Sequence, residues 1–326
     1  MKEDQFQSNE SHVGKVGSFK LVLALFKPGT EPIKVADDVS VLVGRNLFRR
    51  ILLCDLLNDS SPNKYNCTER SSLGSVFNVN ALRHKLIDFG LVQSDRNWQA
   101  WKGEEEWQGD PINNIRSVVA LHNEAIHLVV RNDAGIQSLQ DIKGKKINIG
   151  NLASGQRGNA LTILKLSNLD PKSDFDAFGY QQANAIANLL ENNIDGFFYT
   201  VGVPSNSISK IFRQQALRLI PINSPSINQF VRTTPYYINT SIPANTYENA
   251  HNVTRTLGLK ATLMTNQETP DQVVYDLVKA IFTNLDALKQ HHPALSALTP
   301  ETMIQGLTSP LHPGAEQYYR EQSWID

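Results

Sequence analysis

Residues 147–166, Ile-Asn-Ile-Gly-Asn-Leu-Ala-Ser-Gly-Gln-Arg-Gly-Asn-Ala-Leu-Thr-Ile-Leu-Lys-Leu, decide the fold. Ile147–Gly150 reads as a buried strand, Asn151–Gly155 as a Ser/Gly loop, and the remainder as a helix through Leu166. The same unit occurs once before. Lys64–Glu69 reads as a short strand and Ser71–Ser75 as a polar loop. A helix follows with Val76, Val79, Leu82 and Leu86 along one stripe.

Working outward, strand-like and helix-like segments keep alternating. Val39–Val43 is a strand candidate ending at Gly44, and residues 46–58 place Leu47, Ile51, Cys54 and Leu57 at helical spacing after it. Ile87–Val92, Ile115–Leu121 and Ile126–Arg131 read as strands, and Asp141–Lys146 as a turn. Ala183–Glu191 and Ser205–Gln215 read as helices, Ile194–Tyr199 and Leu217–Ile220 as strands, and Asp271–Leu288 as a helix after Thr269-Pro270-Asp271. Trp98, Trp101 and Trp107 fall in a polar stretch that reads as an irregular packing loop. Strands alternating with helices imply βαβ units and mainly parallel sheets. Ligands of such sheets gather at the carboxyl ends of strands, beside helix N-termini.

Composition narrows the function. The 326 residues carry 31 Lys plus Arg against 32 Asp plus Glu, a formal charge of −1, which disfavours binding driven by phosphate neutralisation. With 40% hydrophobic and 19% charged residues the chain can bury a sizeable core, and the length suits two domains. No run approaches the length of a membrane-spanning helix. Two cysteines, Cys54 and Cys67, exclude a disulfide scaffold and a four-thiolate zinc site. Met1–Glu10 is polar, and Leu21–Phe26 reads as a buried strand because Lys27-Pro28-Gly29, not a cleavage motif, follows it. No export signal is visible in the chain.

A Ser/Gly loop entering a helix offers backbone N–H groups, hydroxyls and the positive end of the helix dipole, a combination that binds carboxylates. Ser72, Gly74 and Ser75 form one set; Ser154, Gly155 and Gln156, with Arg157 and Asn159 on the first turn, form the other. Plain helix capping uses the same residues. Catalytic signatures are weak. No Gly-X-Ser-X-Gly elbow occurs, and Gly144-Lys145-Lys146 precedes its strand, unlike a phosphate-binding loop. No histidine spacing suits a metal; His291-His292 reads as surface, and His127 as a half-buried strand residue.

Several stretches together resemble the TAXI group, the extracytoplasmic solute receptors of tripartite (TRAP) transporters. They are Gly74-Ser75-Val76-Phe77-Asn78 with Ala81-Leu82-Arg83, Asp88–Asp95, His127–Arg131, Leu139–Lys146, Asn151–Gly155, Ile194–Pro204 and Pro310–Glu316. The match runs over about residues 46–322 in the family's order. It implies an α/β fold of the type II periplasmic-binding-protein kind, two lobes joined by two hinge-crossing strands near Ile126–Arg131 and Ala261–Asn266. Lobe one would hold 1–129 plus 262–326, and lobe two 130–261, with 1–45 as a divergent N-terminal segment. Where the family has a Gly-rich loop with a Tyr-Tyr-Pro-like element, this chain has Val41-Leu42-Val43-Gly44-Arg45-Asn46.

By the resemblance the protein binds and does not catalyse. It takes a small carboxylate of the glutamate, glutamine or dicarboxylate type, needs no cofactor or metal, and works as a monomer in the periplasm. Its partner is a TRAP membrane component with fused small and large subunits, not nucleic acid. The cleft would be lined by Ser72, Gly74, Ser75, Gln93, Ser94 and His127, and from the second lobe by Ser154, Gly155, Asn159, Thr200, Gly202 and Val203. Arg131 would be a carboxylate clamp or a surface salt bridge. Helix and strand pack so that Cys54 and Cys67 either form a disulfide, closing 14 residues counted 54–67, or stand as buried thiols. The competing readings are a non-exported module that keeps the fold without transport, and an enzyme of the same lobed architecture. The latter lacks a cysteine, lysine or carboxylate pair placed in a cleft.

Overall fold

A computed structural model describes residues 37–44 (as backbone), 53–61 and 64–326. The expectations for Met1–Glu10 and Leu21–Phe26, for the helix start at 46–52, and for Pro62-Asn63 lie outside the described residues. In chain order the elements are β1 (Asp37–Gly44), α1 (Leu53–Ser60), β2 (Tyr65–Ser72), α2 (Ser75–Arg83), β3 (Phe89–Gln93), α3 (Ser94–Lys102) and β4 (Ile115–Arg131). Next come β5 (Lys146–Asn148), α4 (Gly155–Leu166), β6 (Asp176–Phe178), α5 (Gln182–Leu190), β7 (Gly196–Val201), α6 (Asn206–Phe212), β8 (Leu217–Leu219), α7 (Pro225–Thr233) and β9 (Ile238–Ile242). The chain ends with β10 (Thr254–Asn266), α8 (Asp271–Thr283), α9 (Leu285–His291), α10 (Pro300–Met303) and α11 (Pro313–Glu321).

The strands form a mixed sheet in the order β2-β1-β3-β10-β4-β7-β5-β6, with β8 beside β4 and β9 beside β10. Strands β1, β2 and β3 pair in parallel, as do β5, β6 and β7. Two long antiparallel strands connect these groups. The first part of β4 lies against β10 from Ile115, and its last part pairs with β7 and β8. Strand β10 pairs with β9 up to Gly258 and with β3 from Ala261 onward. Register irregularities in the β4–β10 pairing fall after Ala261 and Leu263, where β10 changes neighbours.

Packing follows the pairing. One core joins Leu53, Leu57, Phe89, Val118, Leu121 and Leu263 to Val274, Leu277, Ile281 and Tyr319, so α8 and α11 pack beside the first strands. A smaller one gathers Val79, Leu82, Val92, Trp107 and Ile115. The second group of strands has its own two, around Leu128, Ile147, Ile163 and Phe198 and around Val129, Leu189, Phe197 and Ile211. Cys54 and Cys67 are joined by a disulfide. By loop entropy such a link stabilises by about 3 kcal/mol.

Three elements differ from the sequence expectation. The tryptophan stretch is not a loop: Trp98 and Trp101 lie on α3, with Trp107 beyond it. The buried face of α3 carries Asp95, Arg96 and Asn97, so no apolar stripe announces the helix. Ile115–Leu121 and Ile126–Arg131 are one strand of 17 residues, since His122-Asn123-Glu124 does not interrupt it. The expected helix Asp271–Leu288 breaks after Thr283 into α8 and α9.

Candidate functional site

A cavity of about 150 Å³ lies where the two strand groups meet. Its walls come from the carboxyl ends of β2 (Ser72), β3 (Gln93) and β7 (Thr200, Val201), from β4 (His122, Glu124), and from Ala261 of β10. Three helices begin on it: α2 at Ser75, α4 at Gly155 and α5 at Gln182. The first N–H groups of a helix have no intrahelical acceptor and carry the positive end of its dipole. No lysine or arginine is among the described lining residues.

The two Ser/Gly loops touch each other. Phe77 N donates to Ala153 O at 3.1 Å. Gly74 has φ +125°, a conformation side-chain-bearing residues rarely adopt, and a Cβ there would lie 2.9 Å from Ser154 Cα. The serine hydroxyls are engaged locally. Ser72 Oγ accepts from Gly74 N (3.2 Å) and Ser75 Oγ from Gln93 N (3.1 Å). Ser154 Oγ caps α4 through Arg157 N (3.3 Å) and donates to Asn151 O (2.8 Å). The serine hydroxyls thus hold the two loops in place and cap α4.

Of the residues expected at the cleft, Ser72, Gly74, Ser75, Gln93, Ser154, Gly155 and Thr200 line the cavity. Ser94, His127, Arg131, Asn159, Gly202 and Val203 do not. Ser94 Oγ donates to Tyr236 O (3.1 Å) and accepts from Lys260 N (3.1 Å). Arg131 ends β4, paired with Asp133 (3.1 Å) and Asp195 (3.2 Å), which is the salt-bridge alternative. Gly202 and Val203 follow β7, and Val203 packs on the Phe197 core. Asn159 is buried in a network: its Nδ2 donates to Asp95 Oδ2 (2.5 Å) and its Oδ1 accepts from Thr200 Oγ1 (2.8 Å). Tyr237 Oη donates to the same Asp95 oxygen at 2.8 Å.

His127 is fully buried, with Nδ1 2.9 Å from Ala125 O and Nε2 2.9 Å from Tyr247 Oη. Since the Tyr247 hydroxyl accepts from Ser205 N (3.1 Å), its one proton points to Nε2, and His127 donates through Nδ1. Burial lowers its pKa from 6.5 to about 4. The unfolded chain therefore takes up this proton near 6.5 and the folded chain only near 4, so acidification through that window costs stability, up to about 3 kcal/mol. A His127→Gln variant should lack this component, seen as a flatter melting-temperature curve between pH 6.5 and 4. An unchanged slope would assign the acid sensitivity to other groups.

Gln156, expected in the second Ser/Gly set, lines the cavity; sequence reasoning passed over His122, Glu124 and Tyr180 to Ala183, which also line it. Gln93 Nε2 donates to Glu124 Oε2 at 2.9 Å, and His122 Nε2 lies 3.6 Å from Glu124 Oε1. The available signal was a polar triplet inside an otherwise apolar strand. Among the described residues no three metal-ligating side chains cluster, and no helix is long and apolar enough to cross a membrane.

A two-halved α/β fold with a small cavity between the halves, crossed by two shared strands, is the architecture of periplasmic binding proteins. Residues 51–323 match the NMT1-like family, and the chain belongs to it. Among solved structures it is similar to MatC (Rpa3494) from Rhodopseudomonas palustris with bound malate, at 14% identity and a TM-score of 0.54, covering 90% of this chain and 98% of that one. The periplasmic binding protein BugD matches at 11% identity and a TM-score of 0.54, covering 90% and 94% of the two chains. A structure concerning glutathione import via GshT and the cystine ABC importer TcyBC of Streptococcus mutans matches at 13% identity and a TM-score of 0.51, covering 82% and 98%. At these identities the likeness is one of fold.

Proposed function

We propose that this protein is an extracytoplasmic receptor that closes over a small carboxylate-bearing solute and delivers it to a TRAP-type membrane component of the TAXI kind. The observation that carries this reading is the convergence of the α2, α4 and α5 N-termini on one small cavity between the two halves. Three dipole ends can hold a carboxylate without a formal positive charge. Each half supplies part of the wall, so closure completes the contacts and excludes water. Strand pairing supports a hinge between His122 and Ala125 on β4 and between Gly258 and Ala261 on β10, a few residues from boundaries at 129/130 and 261/262. The Cys54–Cys67 disulfide favours an oxidising compartment over the non-exported alternative.

Thermal-shift screening with glutamate, glutamine, 2-oxoglutarate and succinate tests the reading. At least one should raise the melting temperature, by binding the folded state alone. If none does while the protein is folded, the receptor reading fails.

A further inference from the structure

Beyond the carboxylate end of the ligand, the cavity wall has a second polar character. The one acidic side chain among its described lining residues, Glu124, stands on a crossing strand and is only 12% exposed. A carboxylate with this little exposure is costly unless its oxygens are paired. One oxygen, Oε2, accepts from Gln93 Nε2, whereas the nearest cation-capable group to Oε1, His122 Nε2, is 3.6 Å away and beyond good hydrogen-bond range.

The glutamines on the wall point the same way. The bond to Glu124 fixes the Gln93 amide orientation, because a flip would set oxygen against oxygen. That leaves Gln93 Oε1 as an acceptor with no partner among the described residues, on a side chain 7% exposed. Gln182, also 7% exposed and at the start of α5, has neither amide atom partnered among the described residues. Buried polar atoms are nearly always satisfied, so such atoms on a cavity wall mark where a ligand's polar groups go.

We propose that Glu124 forms a subsite for a positively charged nitrogen, so that the ligand is a zwitterion carrying an amine as well as a carboxylate, not a purely anionic diacid. An ammonium brings donors and no acceptor, matching Glu124 Oε1 and Gln93 Oε1. Its charge balances that of Glu124, while the ligand carboxylate takes the helix N-termini. An uncharged remainder of the ligand meets the Gln182 amide. A diacid would set a second carboxylate against Glu124 with no lysine or arginine among the described lining residues to offset it. This inference rests on the receptor reading above.

Matched pairs that differ only by the amine test it by calorimetric titration of the intact protein: glutamate against glutarate, glutamine against glutaramate, and aspartate against succinate. In at least one pair the amine-bearing member should bind at least tenfold more tightly. Glu124→Gln should weaken that ligand at least tenfold and bring the pair within about threefold of each other. If the diacids bind as tightly as the amino acids, or if Glu124→Gln leaves the preference intact, the cationic subsite is overturned while the receptor reading stands. If no member of any pair binds the folded protein the cationic subsite falls, and if 2-oxoglutarate fails to bind as well the receptor reading falls with it.

Discussion

Asp95→Ala should lower the unfolding free energy by about 3–5 kcal/mol, the range found when one partner of a buried ion pair is removed. Asp95 and Arg96 side chains are 0% and 1% exposed. Asp95 Oδ2 accepts from Arg96 Nε (3.2 Å) and Nη2 (3.1 Å), from Asn159 Nδ2 (2.5 Å) and from Tyr237 Oη (2.8 Å). Burial opposes the Arg96 charge, but Asp95, Tyr237 and Glu106 together hold its pKa above the ordinary value. Without Asp95 the guanidinium keeps only Glu106, bonded at 2.6 Å and itself 32% exposed. Tyr237 and Asn159 each lose an acceptor in a place water does not reach. The network also joins α3 of one strand group to α4 and Tyr237 beside the other, so its loss loosens the contact between them as well as the fold. Denaturant unfolding measures the effect, and a loss below about 1 kcal/mol would show the network to be dispensable. Exchanging both partners in Asp95→Leu with Arg96→Met should recover part of the loss, because no uncompensated charge then remains buried.

The parts of this structure that could be read from the sequence are those where polarity and burial agree. The unit at 147–166 is an apolar strand and a helix joined by a short polar loop, the unit at 64–86 has an alternating strand that buries Tyr65 and Cys67 before its own loop and helix, and both loops reach the cavity. Reading failed where a polar residue is buried. Asp95, Arg96 and Asn97 hid α3, since their polarity is repaid by a network spanning some 140 residues of sequence, Asp95 to Tyr237. His122-Asn123-Glu124 looked like a break between strands, yet it is the point where β4 passes from one core to the other and faces the cavity. His127 and Asn159 show the converse. Both are polar residues in apolar surroundings, which suits a ligand contact or an internal tie equally well. Tyr247, Thr200 and Asp95, all distant in sequence, supply the ties.

Gly155→Leu should leave both cores intact and abolish closure over ligand, weakening binding more than 100-fold, or about 2.7 kcal/mol. A Cβ at Gly155 would lie 2.0 Å from Gln93 Oε1, 2.8 Å from Gln93 Cδ and 3.0 Å from Ser75 Oγ. Gln93 cannot swing aside freely: its Nε2 is bonded to Glu124 and its backbone N to Ser75 Oγ. The strain is therefore relieved by separating the α4 loop from β3, along the line on which the two halves meet. None of the four cores includes Gly155, so the fold bears little of the cost. Ser154→Ala, one residue earlier, provides the contrast. It removes the α4 cap at a cost of about 1 kcal/mol in stability but adds no atoms to the meeting surface. Whichever of glutamate, glutamine, 2-oxoglutarate and succinate binds the unaltered protein should compact it in small-angle scattering and fail to compact Gly155→Leu. If Gly155→Leu binds that compound within about threefold of the unaltered protein, the contact between these loops is not part of the closed, ligand-holding state, and the cavity between them is not the binding site.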